Sequence, residues 1–363
     1  MTVAAPHLAV LAHPRHPVAE PFAGGMESHT WHLCKELTAL GAHTTLYAPR
    51  GSDQSIASEL RTYPELTLSA TAARDETRPS DLELYQHHAL MSAVAEIAAD
   101  SRIDAVHNQT LHYLPIATSA LLPPMVTTLH TPPFSWLESA IRTGGRGTGF
   151  VAVSRYIADE FSELLATPAH VIHNGVDTAL FRPGPGGDDL AWTGRMVPEK
   201  APHLAIDAAR AAGRPLSLMG PIGDREYFDL QVRPRLGGTI DYLGHLDRRG
   251  VAAVLQQSAA CLMTSVWPEP FGLSAAEAVC CGTPVIGFRV GGLGEVICRP
   301  ELGSLVTAWD VPAMAAAVDR VVDLDRTATA ATAARLFSLR RMASEYLELF
   351  AGLDALRGFD RAG

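Results

Sequence analysis

Lysine is almost absent. Of 29 basic residues only Lys35 and Lys200 are lysines, and the remainder are arginines. Positive charge as a whole is outweighed by 39 acidic residues, for a formal net charge of −10. That balance excludes a surface built throughout to hold nucleic acid or anionic membrane and leaves room only for a local basic pocket. Long apolar runs are missing too: nothing approaches the ~20 residues that a membrane-spanning helix needs. The short run at residues 8–12, bracketed by His7 and His13 with no basic stretch before it, reads as a buried strand and not as a secretory leader. Cysteine is scarce, five in number (Cys34, Cys261, Cys280, Cys281, Cys298) and without C-x-x-C spacing. Disulfide and zinc frameworks are thereby excluded, and a reduced, cytoplasmic protein is expected. No G-x-x-x-x-G-K-[ST] loop and no G-x-G-x-x-G after a strand occur, which removes the main supports for a P-loop nucleotidase and a nicotinamide oxidoreductase. Asp323-Leu324-Asp325 has the D-x-D spelling of metal-dependent transferases but lies in a late amphipathic segment, and the histidines share no ligand spacing. No metal is expected.

What the chain does have is apolar material, 47% of 363 residues, enough for two cores. Short apolar runs alternate with amphipathic segments of helical length, the βαβα pattern of parallel-sheet folds. In the first half, strands are expected at 7–12, 44–48, 103–107, 126–130, 150–153 and 170–173, with helices at 27–40, 82–99 and 155–166. A stretch dense in breakers, Phe181-Arg182-Pro183-Gly184-Pro185-Gly186-Gly187-Asp188-Asp189, reads as an interdomain linker. A second series follows, with strands at 190–193, 216–219, 240–243, 260–264 and 285–288, helices at 201–212, 250–257 and 274–281, and a long terminal helix over 336–353. The expected fold class is α/β, with two Rossmann-like domains whose parallel sheets face a central cleft where ligands meet helix N-termini.

The densest chemistry lies between residues 265 and 285. A strand ends near Ser265, a loop carries Glu269, and a helix begins around Phe271 to Ser274 and bears Glu277. Eight residues across a loop-to-helix junction place the two carboxylates about 10 Å apart along one side of a ligand. Between them, the N–H groups of Phe271, Gly272 and Leu273 and the helix dipole favour an anion or sugar hydroxyls, and Gly272 permits close backbone approach. An elongated ligand with hydroxyls at both ends and phosphate in the middle fits, and a nucleotide-sugar has that shape. A second cluster, Gly194-Arg195-Met196-Val197-Pro198-Glu199-Lys200, follows the first strand of the second domain. Arg195 and Lys200 there can converge on a diphosphate and stabilise it as it leaves. In the first domain, Gly24-Gly25 opens a helix bearing Glu27, and its backbone can face a phosphate or an acceptor. His130 and His107-Asn108-Gln109 end neighbouring strands, where cleft residues belong. Loops containing His112-Tyr113 and Trp136 suit polyols or glycosides as acceptors.

The pattern Glu269-Pro-Phe-Gly-Leu-x-x-x-Glu277-Ala-x-x-x-Gly282-Thr-Pro-Val resembles the E-x7-E signature of the retaining glycosyltransferases of family 4, which have the GT-B fold. Gly194-Arg195 to Lys200 is similar to the family's G-R-x-x-x-x-K element, with Ala201 where glycine usually follows the lysine. Gly24-Gly25-Met26-Glu27 resembles its G-G-x-E element, and 291–295 its G-G-x-x-E loop, expected to close on phosphate. The resemblance implies domains at 1–180 (acceptor side), 190–335 (donor-binding) and a linker at 181–189. The segment 336–363 would return to pack on the first domain. It further implies that Glu277 holds ribose hydroxyls, that Glu269 and His130 meet the donor sugar, and that Arg195 and Lys200 serve the diphosphate. Gly25, Phe271, Gly272, Leu273 and the backbone near Leu246 would complete donor binding, while Gly24, Glu27 and Asn108 face the acceptor.

The expected reaction is sugar transfer from a nucleoside-diphosphate sugar to a small-molecule, glycoside or glycan hydroxyl with retention, without a separate cofactor and without nucleic acid. Glu269 is open to two roles, nucleophile or electrostatic stabiliser, with the latter preferred. Uridine is favoured as the base, although Asp247 and Arg248 keep guanine in view. Rival readings are a GT-B epimerase that processes the donor alone and a binding protein that does neither.

Overall fold

The computed structural model describes residues 6–144 and 148–360, with side chains described up to residue 352. It divides into two units: one takes the chain to residue 153, 157–172 and from 342 onward, and the other takes 154–156 and 173–341.

In the first unit the chain order is β1 (His7–Leu11), α1 (Gly25–Ala39), β2 (His43–Ala48), β3 (Glu59–Thr62), α2 (Asp81–Ala99), β4 (Ala105–Asn108) and α3 (Tyr113–Ala117). It continues with β5 (Met125–Leu129), α4 (Ser135–Gly144), β6 (Thr148–Ala152), α5 (Arg155–Glu160, in this unit from Ile157) and β7 (His170–Val171). All seven strands run parallel in the order β3-β2-β1-β4-β5-β6-β7. Leu8 to Leu11 are buried on both faces, which is why this strand reads as an unbroken apolar run.

The second unit holds β8 (Leu190–Thr193), α6 (Pro202–Ala211), β9 (Leu216–Met219), α7 (Arg225–Tyr227), β10 (Ile240–Tyr242), α8 (Arg248–Gln257) and β11 (Ala260–Met263). After these come α9 (Leu273–Cys280), β12 (Val285–Phe288), α10 (Leu293–Val296), β13 (Gly303–Val306), α11 (Val311–Val322) and α12 (Arg326–Phe337). Six parallel strands lie in the order β10-β9-β8-β11-β12-β13 around a core that includes Trp192, Leu218, Phe288 and Met314. The last helix, α13 (Leu339–Asp360), lies within the first unit from Met342. Met342, Tyr346 and Phe350 recur every fourth residue and are buried. The Tyr346 hydroxyl is 3.0 Å from Thr128 Oγ1 on β5, and the Phe350 ring meets His107 on β4.

In each sheet the order reverses beside its first strand, between β1 and β4 and between β8 and β11. A crevice opens at such a switch point outside the strand C-termini, so ligand-binding loops are expected there. The stretch 181–189, expected as a linker, belongs to the second unit. Gly184 N–H donates to Cys281 O at 3.1 Å and Gly186 N–H to Gln256 O at 2.9 Å. The Arg326 guanidinium, at the start of α12, donates to the carbonyls of Gly184, Gln256, Ser258 and Cys281 and to Thr283 Oγ1, at 2.7 to 3.2 Å. β3 and β13 were not legible as strands. Both are short, half-exposed edge strands (Glu-Leu-Arg-Thr and Gly-Ser-Leu-Val) that lack an apolar run.

Candidate active site

The second unit's switch point is flanked by the turn after β8 and the loop after β11. The first begins where backbones meet closely: Gly220 has φ +138°, and a Cβ there would stand 1.9 Å from Gly194 O. The chain then passes Arg195 and tightens into a 3-10 turn over Pro198–Lys200. It enters α6 through Ala201, which sits at φ 46°, ψ 51°. That left-handed conformation favours glycine, which explains why the similar family element has glycine at this place.

The loop after β11 is tied to this turn. The Thr264 hydroxyl accepts from the Trp192 indole N–H at 2.9 Å and donates to Lys200 O and Ala201 O, each at 3.0 Å. Ser265 Oγ and the Val266 N–H both donate to Glu199 O, at 3.2 and 2.9 Å. These bonds set the positions of the two segments, and the result is a pairing between their functional side chains. Lys200 Nζ donates to the Glu269 carboxylate, which is 7% exposed. Arg195 takes a different partner, Glu199 at 3.6 Å, with its side chain 62% exposed. A screened surface pair of that kind adds little and releases easily to a better anion.

Beyond Glu269 the backbone is gripped by the 291–295 loop. Gly292 N–H donates to Glu269 O at 2.7 Å, and Cβ atoms on Gly291 and Gly292 would fall 2.3 Å from Glu269 O and 2.5 Å from Pro270 O. Glu295, at the end of the loop expected to close on phosphate, is committed to donors of its own unit. It accepts from the N–H groups of Arg155 and Tyr156 at 2.7 and 2.9 Å and from His173 Nε2 at 2.8 Å. Burial alone would raise its pKa, but these donors together hold the carboxyl below the usual range.

Gly272 then turns into α9 at φ 97°. The N–H groups of the first turn of a helix have no partner within it, so those from Leu273 onward form the anion-facing end of α9. The Phe271 ring is buried against His173 and Phe337, so this residue can serve a ligand only through its backbone. Glu277, one turn into α9, is half-buried. Loss of solvation pushes its carboxyl up to about 7, against the opposing charge of Arg248. At the base-side strand ends, Tyr242 Oη donates to Gly220 O at 2.7 Å and Leu246 is half-buried. Asp247 Oδ1 accepts the Gly250 N–H at 2.7 Å as the cap of α8. Asp325 of the D-x-D spelling likewise caps α12.

In the first unit, α1 starts at Gly25 behind Gly24, and Glu27 in its first turn is buried. A Cβ on Gly24 would stand 3.2 Å from Glu27 Oε2, whereas one on Gly25 would meet nothing within 4 Å, so nothing inside the chain demands glycine at 25. His130 Nε2 donates to Gln109 Oε1 at 2.6 Å, and the Gln109 amide nitrogen donates to His107 Nε2 at 2.7 Å. Burial lowers His130 well below the ordinary histidine range and His107 to about 3, with His29 adding to both effects. Both rings are therefore neutral, and His130 presents Nδ1 as its acceptor.

Asn108 corrects an expectation. It is fully buried, its amide donates to Thr127 Oγ1 at 3.1 Å, and its carbonyl accepts from the Thr110 N–H and hydroxyl at 3.1 and 2.8 Å. It shapes the turn after β4 and has no surface to offer an acceptor. The tying residues Thr264 and Ser265 escaped the sequence reading, although their place between the end of β11 and Glu269 was a usable signal. A groove between β7 and α13, lined by His170, Ile172, Glu345 and Leu349, contains none of the site residues.

The two Rossmann-like units with their parallel sheets are those of the GT-B fold. A family model described as Glycosyltransferase Family 4 matches residues 23–180, and one described as Glycosyl transferases group 1 matches 186–335. The chain belongs to the family 4 glycosyltransferases and is a transferase. It is 29% identical to a glycogen synthase of Mycobacterium tuberculosis, over 83% of each chain. It is 26% identical to a phosphatidyl-myo-inositol mannosyltransferase of Mycobacterium leprae, over 92% of this chain and 94% of that protein. Among solved structures, sucrose-phosphate synthase from Thermosynechococcus elongatus shares the fold at a TM-score of 0.75 and 19% identity, covering 97% of this chain and all 100% of that one. Anabaena HepE in complex with UDP and glucose does so at 0.73 and 18%, covering 95% and 99%. Among the described residues no helix is long and apolar enough to cross a membrane.

Proposed function

We propose that this glycosyltransferase moves a sugar from a UDP-sugar to an acceptor hydroxyl with retention of anomeric configuration, using the nucleotide-sugar alone as co-substrate. The observation that carries the reading is the Lys200–Glu269 pair at the mouth of α9, held by the Thr264 and Ser265 bonds to the neighbouring turn. A donor diphosphate lying on the first turn of α9 draws Lys200 away from Glu269, and Arg195 leaves Glu199 to join it. Two cations then balance the charge that grows on the leaving diphosphate, where fixed donors are worth most. Glu269, released from its ammonium partner, is left beside the sugar as an uncompensated carboxylate that stabilises the oxocarbenium-like centre. The acceptor oxygen attacks from the face the diphosphate leaves, and its proton passes to the departing phosphate oxygen. Glu277 accepts the ribose hydroxyls, and in the first unit neutral His130 offers Nδ1 as an acceptor to a hydroxyl.

Uridine is favoured because Asp247 Oδ1 is occupied by the α8 cap. A guanine, which would present N1–H and N2–H to a carboxylate, finds that pair of oxygens divided.

The test is a thermal-shift panel of UDP-, GDP-, ADP- and dTDP-glucose on wild type and Lys200→Ala, followed by NMR of the product anomer. UDP-glucose should raise the wild-type melting temperature most. Loss of a charge-assisted contact in the variant should weaken donor affinity by about 10- to 100-fold. Equal affinity in the two proteins, or an inverted product, refutes the reading.

A further inference from the structure

Outside the groups discussed so far, the first unit carries a set of stacked aromatic rings. They leave the same strand ends as the site residues: His112 and Tyr113 follow β4 four and five residues after Asn108, and Trp136 follows β5 six residues after His130. The rings are ordered into a stack. His112 lies on Tyr113 with centroids 4.3 Å apart and planes at 27°, and Trp136 lies on Tyr113 at 5.4 Å and 29°. The stack is fixed from below. His112 Nδ1 accepts the Leu114 N–H at 3.2 Å, and the Tyr113 hydroxyl is 3.1 Å from His87 Nδ1. Burial and the neighbouring His87 and His13 lower His112 to about 4, so its ring is uncharged at neutral pH. Trp136 nevertheless remains 67% exposed. With one face toward Tyr113, most of its surface is still open.

A tryptophan that packs its outer face on nothing contributes little burial energy, so its placement asks for a ligand. We infer that this stack is the acceptor platform, on which a hexopyranoside ring lies flat with one C–H face against the Trp136 indole. The negative π-face attracts the polarised axial C–H bonds of a pyranose, and the flat contact leaves the equatorial hydroxyls to hydrogen-bond around it. A lipid surface is the less suited occupant, because it is held by aliphatic side chains together with clustered Lys and Arg. Here the nearest charges on α4 form a closed pair, Arg142 with Glu138 at 2.8 Å. The inference rests on the proposed transferase reading and narrows its acceptor to a glycoside.

The experiment is saturation-transfer NMR in the presence of UDP, with methyl glucopyranosides, mannopyranosides and galactopyranosides of both anomers and with maltotriose. Wild type, Trp136→Phe and Trp136→Ala are compared, and the UDP-glucose thermal shift is recorded for each. Saturation should concentrate on the C–H protons of one ring face. Affinity should fall at least about tenfold in Trp136→Ala and stay within about threefold in Trp136→Phe, with the UDP-glucose shift unchanged in both. If no pyranoside is saturated, or Trp136→Ala binds as wild type does, the platform is overturned. It is equally overturned if vesicles of phosphatidylglycerol and phosphatidylcholine bind wild type and lose it in Trp136→Ala while sugars do not. Loss of the wild-type UDP-glucose shift would instead refute the donor reading, so the two failures are distinguishable.

Discussion

Glu277 makes the second unit's stability fall as pH rises, and the size of the effect follows from its surroundings. Its carboxyl titrates near 7 in the folded chain because α9 removes it from water. In the unfolded chain it titrates at the ordinary value of about 4.3. A raised carboxyl pKa means that the folded state binds the proton more tightly. The favourable contribution is complete below the unfolded value and disappears as pH climbs through the folded one. Integrating proton linkage between about pH 5 and about pH 8 yields about 2–3 kcal/mol of stability lost. Glu277→Gln removes the titration while keeping the volume.

The assay is urea unfolding of wild type and Glu277→Gln at several pH values. The fluorescence of Trp192, buried in the core of the second unit, serves as reporter. Other titrating groups contribute to each curve, but the difference between the two proteins isolates this carboxyl. That difference should move by about 2–3 kcal/mol over the interval, with the variant gaining on wild type as the solution becomes more alkaline. Parallel curves would refute the assignment of a buried, protonatable Glu277. The same chemistry predicts proton release on nucleotide binding near neutral pH. Ribose hydroxyls donate to the ionised carboxylate and favour it over the acid, so calorimetry in buffers of differing ionisation enthalpy should show a released proton that Glu277→Gln lacks.

The first unit responds in the opposite sense. Burial holds His107 at about 3, so the stability its neutral form contributes is present above the unfolded histidine pKa and declines as pH falls below it. By about pH 5 the loss from His107 alone reaches about 2 kcal/mol. Thermal melts should show a His107→Gln variant losing less stability than wild type between about pH 7 and about pH 5, and an unchanged slope would count against it. Ala201 supplies a local test of backbone strain. Ala201→Gly relieves a left-handed conformation at the cost of chain entropy, and the net should be a gain of up to about 1 kcal/mol, or about 2–4 °C in Tm, with donor affinity unchanged. A lower Tm would show that the turn is unstrained.

The elements legible in the sequence are those whose burial is continuous. Residues 8–12, 190–193 and 285–288 read as strands because a parallel strand covered on both faces must be apolar at every position. Their partners at the sheet edges could not be read this way, since β3 places Arg61 and Thr62 in solvent and β13 is half-exposed along its length. The site divides by a similar logic. Lys200, Glu269 and Glu277 are expected from the sequence because phosphate and hydroxyl chemistry requires charged groups at a strand end and a helix start, and the structure brings Lys200 and Glu269 into contact. Asn108 was misjudged because an amide at a strand end can turn outward to a ligand or inward to cap its own turn. Only the neighbouring Thr127 and Thr110, one on another strand and one two residues on, decide between them.

Glu295 shows the same limit from the other direction. Its loop was expected to close on phosphate, yet its carboxylate is committed to three donors from residues 155, 156 and 173. What sequence cannot supply is the set of partners a polar group meets across the fold. A polar residue whose needs are met inside the protein supports the architecture, and one whose needs are met only by a mobile or exposed partner is available for chemistry. By that criterion Glu269 and Arg195 stand apart from Asn108 and Glu295. The partners of the first two are a flexible lysine and a surface glutamate, which a diphosphate can displace, and those of the last two are chiefly backbone groups or neighbouring threonines that no ligand removes.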